Sequence, residues 1–75
     1  MPDRELQILA EVTGRVVRIE AGVGARVEKE DVLLVLESMK MEIPVEAPGP
    51  GVVLELCVEE GESVAEGDAL LVLEK

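Results

Sequence analysis

The chain has 75 residues, enough for one small domain, and a formal charge of −10 from 17 acidic and 7 basic residues. A polyanionic surface repels nucleic acid and anionic lipid, so neither is expected as a partner. With no histidine and a single cysteine, Cys57, the chain also lacks the parts for Ser-His-Asp or Cys-His catalysis and for a His/Cys zinc site.

No aromatic residue is present, so the core must come from 13 Val, 10 Leu and 3 Ile. Branched side chains of this kind favour half-buried pleated surfaces, and the recurring Gly and Pro suit short strands and tight turns. The acidic residues are dispersed, which argues for a solvated surface and against a disordered acidic tail. A lone cysteine forms no intramolecular disulfide and suits a reducing compartment; Cys57 itself is expected to be a small packing residue. No apolar run approaches the ~20 residues of a membrane-spanning helix, and the amino terminus shows no signal-peptide pattern. The expected setting is soluble and cytoplasmic.

In chain order, residues 1–5 form a polar lead-in and 6–75 the domain. Leu6, Ile8 and Ala10 alternate against Glu5, Gln7, Leu9 and Glu11 until Thr13-Gly14 breaks the pattern. Val17, Ile19 and Ala21 alternate with Arg18 and Glu20, a strand period. Gly22 and Gly24 interrupt, and Val32 to Leu36 forms a five-residue apolar run. Ile43 and Val45 continue as a strand in which Pro44 implies an edge position or a bulge. Pro48-Gly49-Pro50-Gly51 is the strongest turn signal.

After that turn the sequence repeats at an offset of 37: Gly14, Val16, Gly24, Val27 and Asp31 recur as Gly51, Val53, Gly61, Val64 and Asp68. Leu33-Leu34-Val35-Leu36-Glu37 recurs unchanged as Leu70-Leu71-Val72-Leu73-Glu74, and 10 of the 24 positions from Gly14 to Glu37 are identical. The halves, about 10–37 and 47–74, should share one backbone path, which gives two small sheets related by an approximate two-fold axis. A helix from Asp31, with Val32, Leu33, Val35, Leu36 and Met39 on one stripe, is the competing assignment. The second copy argues against it: only seven residues follow Asp68, too few for a stable helix.

The hairpin over 37–42 joins the two halves and has no second copy, because 37 residues beyond Lys40 lies past Lys75. Lys40 should therefore sit at a hairpin tip, at the opposite end of the domain from the termini. Most such lysines are solvated turn residues. Here the flanks are Met39 and Met41, where turn residues are normally Gly, Asn, Asp or Ser. The methionines either fold back over the core edge or set the presentation of the lysine, and the two roles are compatible. A lysine amine serves as a buried nucleophile or as a site of covalent modification. A 75-residue chain without histidine or aromatics offers no catalytic helpers, so no catalytic residue and no metal ligand is assigned, and a carrier presenting a group on Lys40 is favoured.

Glu37-Ser38-Met39-Lys40-Met41-Glu42 resembles the attachment motif of biotinyl carrier domains, whose core is Met-Lys-Met. The resemblance runs from about Ile8 to Lys75 and includes Gly14 with its following Val16, Gly61-Glu62-Ser63-Val64, Gly67-Asp68 and Leu70 to Leu73. It implies an all-β flattened sandwich of two four-stranded antiparallel sheets with quasi-two-fold symmetry. It also implies biotin amide-linked to Lys40, with Met39 and Met41 read by biotin protein ligase. Glu37 and Glu42 are either further recognition residues or a solvated face. Biotin carboxylase and a carboxyltransferase are the implied partners, and the domain itself is non-catalytic. Lipoyl domains are similar in architecture but usually carry an Asp-Lys-Ala-like tripeptide, so lipoate is the alternative cofactor; an unmodified β-sandwich interaction module is a third reading.

Three departures stand out. Glu30 replaces the Gly67 of the second copy, so the first-half turn is expected to differ in shape; Ala25 replaces Glu62. Nothing between Gly14 and Lys40 is long enough for the thumb hairpin of some acetyl-CoA carboxylase carriers. The thumbless carriers of propionyl-CoA or pyruvate carboxylases and the small free-standing biotin/lipoyl attachment proteins are the similar types, the latter because the chain starts with its own Met.

Overall fold

The computed structural model describes residues 4–75. It contains eight strands: β1 (Glu5–Leu9), β2 (Gly14–Ile19), β3 (Arg26–Val27), β4 (Val32–Ser38), β5 (Met41–Glu46), β6 (Gly51–Leu56), β7 (Ser63–Val64) and β8 (Ala69–Glu74). They form two antiparallel four-stranded sheets, ordered β1-β8-β6-β3 and β5-β4-β2-β7. Moving each strand of the first sheet on by one repeat, β1 to β5 and β8 to β4, reproduces the second. The sequence repeat is thus a two-fold repeat of whole sheets, and it extends to β1 and β5 beyond the recurring residues.

The core obeys the same symmetry. Its largest fully buried side chains are Val16, Leu33, Leu34 and Leu36 with their images Val53, Leu70, Leu71 and Leu73. The run Val32–Leu36 is a strand and not a helix. Asp31 closes its turn by accepting from the Glu28 N–H through Oδ2 at 2.8 Å, as Asp68 does from Ala65 at 2.8 Å. Of the expected lead-in, residues 1–3 lie outside the described residues, and Glu5 already pairs with Glu74.

Simple alternation misses one feature. The register of β2 against β4 shifts between Val16 and Arg18, and that of β6 against β8 between Val53 and Glu55. The bulge buries Val16 completely and leaves Val17 half-buried, so the phase expected from Val17, Ile19 and Ala21 holds only beyond it. It also sets Arg15 and Arg18 on one outer face, where strict alternation would separate them.

The Glu30 turn matches its image, contrary to the expected difference. Glu30 adopts φ 74° where Gly67 adopts 93°. Its N–H donates to Ala47 O at 2.7 Å, as the Gly67 N–H donates to Ala10 O at 2.8 Å. Tertiary pairing therefore imposes the left-handed conformation on a residue with a Cβ, at a cost of about 1–2 kcal/mol. Glu30→Gly should raise the unfolding free energy by about 1 kcal/mol after the greater chain entropy of glycine is allowed for, measured by urea denaturation. An unchanged midpoint would mean that Glu30 is unstrained. The Ala25 departure is realised as a lost bond: Glu62 Oε1 accepts from Glu59 N–H at 3.0 Å, and Ala25 has no oxygen to do the same for Gly22.

Cys57 is exposed, not packed in the core. Partial desolvation first, and the neighbouring Glu55 carboxylate second, raise its thiol pKa. The thiol is therefore accessible but poorly ionised.

Candidate functional site

The β4–β5 ladder runs without a register shift from Leu34 to Ser38, pairing Leu34 with Val45, Leu36 with Ile43, Glu37 with Glu42 and Ser38 with Met41. Only Met39 and Lys40 remain to turn the chain. Both have positive φ, 53° and 66°, the pair of conformations a two-residue type I′ hairpin requires. Asn-Gly is the usual occupant; Met-Lys costs on the order of 1–3 kcal/mol per residue. The ladder below the turn holds it in place.

The turn projects its side chains into solvent. Met39 is 91% and Met41 64% exposed, and Lys40 is exposed between them. The methionines do not fold back over the core edge. Lys40 lines neither the groove between β1 and β5 nor the shallow depression over Arg18 and Val35. An exposed primary amine outside these two depressions gains from neither a water-excluded pocket to make it a nucleophilic catalyst, and it is open to an incoming acyl group.

Glu37 and Glu42 face each other across the ladder one step below the turn, a like-charge pair that is unfavourable alone. Each has an arginine: Arg15 Nη2 lies 3.2 Å from Glu37 Oε1, and Arg18 Nη1 lies 3.6 Å from Glu42 Oε1. Arg18 also holds Glu20 at 2.8 Å, and this hydrogen bond, then the Glu42 charge, pushes its pKa further above the usual guanidinium value. These solvent-exposed pairs add little stability but settle the local charge beside the turn. Sequence reasoning missed Arg15 and Arg18, because their side of the sheet depends on the bulge at Val17.

The domain's two ends are distinct. The symmetry image of the hairpin is the place where β1 begins and β8 ends, and there the Lys75 N–H donates to Arg4 O at 2.9 Å. Val32, at the far end of β4 from Ser38, pairs with Glu46, and the chain passes through Ala47 to the Gly51–Val27 pair beside Val52 and Glu74. Lys40 thus stands at the opposite end from Arg4 and Lys75 on a molecule 36 Å long.

Comparison with known proteins shows the family to which this two-fold sandwich belongs. A family described as "Biotin-requiring enzyme", the biotin/lipoyl domain, matches residues 7–73. The chain belongs to that family.

Biotin/lipoyl relatives fall into two kinds. The biotin/lipoyl attachment protein of Bacillus subtilis (strain 168) is 38% identical over 68 residues, spanning 91% of this chain and 93% of that protein. A biotinylated protein TB7.3 homologue of Mycobacterium leprae (strain TN) is 39% identical over 66 residues, 88% and 93% of the two chains. The pyruvate carboxylase of Bacillus subtilis is 41% identical over 68 residues, but the chain spans only 6% of it. Among solved structures, a single-chain, multi-domain long-chain acyl-CoA carboxylase superposes with a TM-score of 0.92 at 35% identity, covering 96% of this chain and 7% of that one. The two-sheet biotinyl carrier architecture expected from the resemblance is the one observed.

Proposed function

We propose that this biotin/lipoyl domain is a biotin carboxyl carrier, with biotin held as an amide on Lys40 Nζ. The observation that bears most weight is the Met39–Lys40 turn, where two residues with Cβ atoms occupy positions suited to Asn-Gly at the end of the β4–β5 ladder. Local conformational preference does not select Met-Lys there; presentation of an amine does. Biotin protein ligase would form the amide in an ATP-dependent reaction, reading Met39 and Met41 beside the acceptor. Glu37 and Glu42, tied to Arg15 and Arg18, would frame the recognised surface.

Bound there, biotin supplies a ring nitrogen that takes up and releases a carboxyl group. The chain's own part is mechanical. Lys40 tethers, the hairpin points, and the core behind Leu34 and Leu36 keeps the tip fixed relative to the body. Biotin carboxylase and a carboxyltransferase are the proposed partners, acting in turn on the same arm in a reducing, cytoplasmic setting.

The test is the intact mass after incubation with biotin, ATP and a biotin ligase, with peptide mapping of any adduct. One biotin amide on Lys40 is expected; no adduct on folded protein would overturn the reading. Lipoate remains a second reading, favoured by the similarity to a biotin/lipoyl attachment protein over nearly its full length. Replacing Met39 with Asp and Met41 with Ala should lower biotinylation and raise lipoylation in vitro. An unchanged ratio of the two products would show that the ligases do not read these neighbours.

A further inference from the structure

Met39, within the two-residue turn, is the most exposed large apolar side chain among the described residues, and Met41, paired with Ser38 just after Lys40, is exposed beside it. An apolar thioether gains nothing from water, so the pair is placed there for contact with another surface. The same exposure opens both sulfurs to oxidants. We propose that Met39 and Met41 form a reversible oxidation site that gates acylation of Lys40, the oxidant being a hydroperoxide. The inference rests on the reading of Lys40 as the biotin acceptor.

In the reaction, a sulfur lone pair attacks the distal peroxide oxygen and an S–O bond forms as the O–O bond breaks. The sulfur is oxidised by two electrons and the peroxide is reduced; with hydrogen peroxide the proton of the transferred OH passes to the leaving hydroxide, giving the sulfoxide and water. A thioether has no proton to lose, so access alone governs its reaction. Among the described residues the other exposed sulfur is that of Cys57, which reacts through its thiolate, and its raised pKa keeps that thiolate scarce. Each sulfoxide turns an apolar contact into a polar, chiral one. The backbone is unaffected, because the Ser38–Met41 and Glu37–Glu42 pairs hold the turn without either thioether. Oxidation therefore leaves the fold and removes the surface that a ligase reads.

The experiment compares untreated protein, protein treated with hydrogen peroxide, and treated protein repaired by methionine sulfoxide reductases. Each is assayed for its initial rate of biotinylation, with peptide mapping of added oxygen and a thermal melt. The expected result is oxygen on Met39 and Met41, an unchanged melt, acylation slowed about tenfold or more, and recovery on repair. A Met39→Leu/Met41→Leu variant should keep its rate, whatever its starting value, through the same treatment. The proposal fails if doubly oxidised protein is acylated at the untreated rate, if oxygen accumulates on Cys57 and spares the methionines, or if the leucine variant is slowed equally. If untreated, folded protein takes no biotin at all, the carrier reading itself falls, and this inference with it.

Discussion

Lys40→Arg is expected to abolish biotinylation completely while leaving the fold intact. Arginine keeps the length and charge of the side chain, but its guanidinium stays protonated and does not form the amide. The structural cost is negligible, because Lys40 is exposed and enters no ion pair among the described residues. The change also keeps a Cβ at the same positive φ, so the strain of the turn is unaltered. Thermal melts of the two proteins should overlay. Lys29 and Lys75 are exposed too and remain as internal controls. If accessibility alone chose the acceptor, they would be labelled in the variant. Their silence would show that the type I′ tip and its methionines select the lysine. Undiminished labelling of the variant would place the attachment site elsewhere and remove the basis for the carrier reading.

Much of this arrangement is legible in the residues because the chain contains its own comparison. Leu33–Glu37 and Leu70–Glu74 recur without change, so one assignment serves both runs, and both are strands. From this follow the two-fold pair of sheets and the hairpin with no image. Pro44 likewise marks β5 as an edge strand, since a proline in mid-ladder would leave a carbonyl without its donor. What resists the reading is whatever depends on a one-residue slip. Val16 and Val17 are equally apolar, and nothing local says which faces the core. The bulge decides it, and the bulge is set by the fit of β2 on β4. For the same reason the Arg15–Glu37 and Arg18–Glu42 pairs stay hidden. Glu30 misleads in the opposite direction. Its difference from Gly67 suggests a new turn shape, yet hydrogen bonds to Ala47 and the Asp31 cap outweigh its conformational preference.

The two-fold also separates what holds the domain together from what serves the hairpin. Gly14→Ala would drive a Cβ into the Glu37 carbonyl oxygen, and Gly51→Ala would place one 2.6 Å from the Glu74 oxygen. Both obstacles are backbone, so the strands must part, and each variant should lose about 1–3 kcal/mol of stability. In a domain of this size that lowers the melting temperature by several degrees per kcal/mol, a large share of the total stability. The two variants should be alike in melting because the sites are images of one another. They should differ in biotinylation. Gly14 lies against Glu37 and Ser38, directly below the Met39–Lys40 turn, whereas Gly51 lies against Glu74, at the end where Lys75 meets Arg4. Displacing the ladder by a few tenths of an ångström to an ångström beneath the acceptor should slow acylation about tenfold to a hundredfold. Gly51→Ala, assayed where it is fully folded, should be acylated at the wild-type rate. Equal slowing of both would mean that the ligase senses the stability of the whole domain; a selective defect in Gly14→Ala would mean that it reads the placement of one turn.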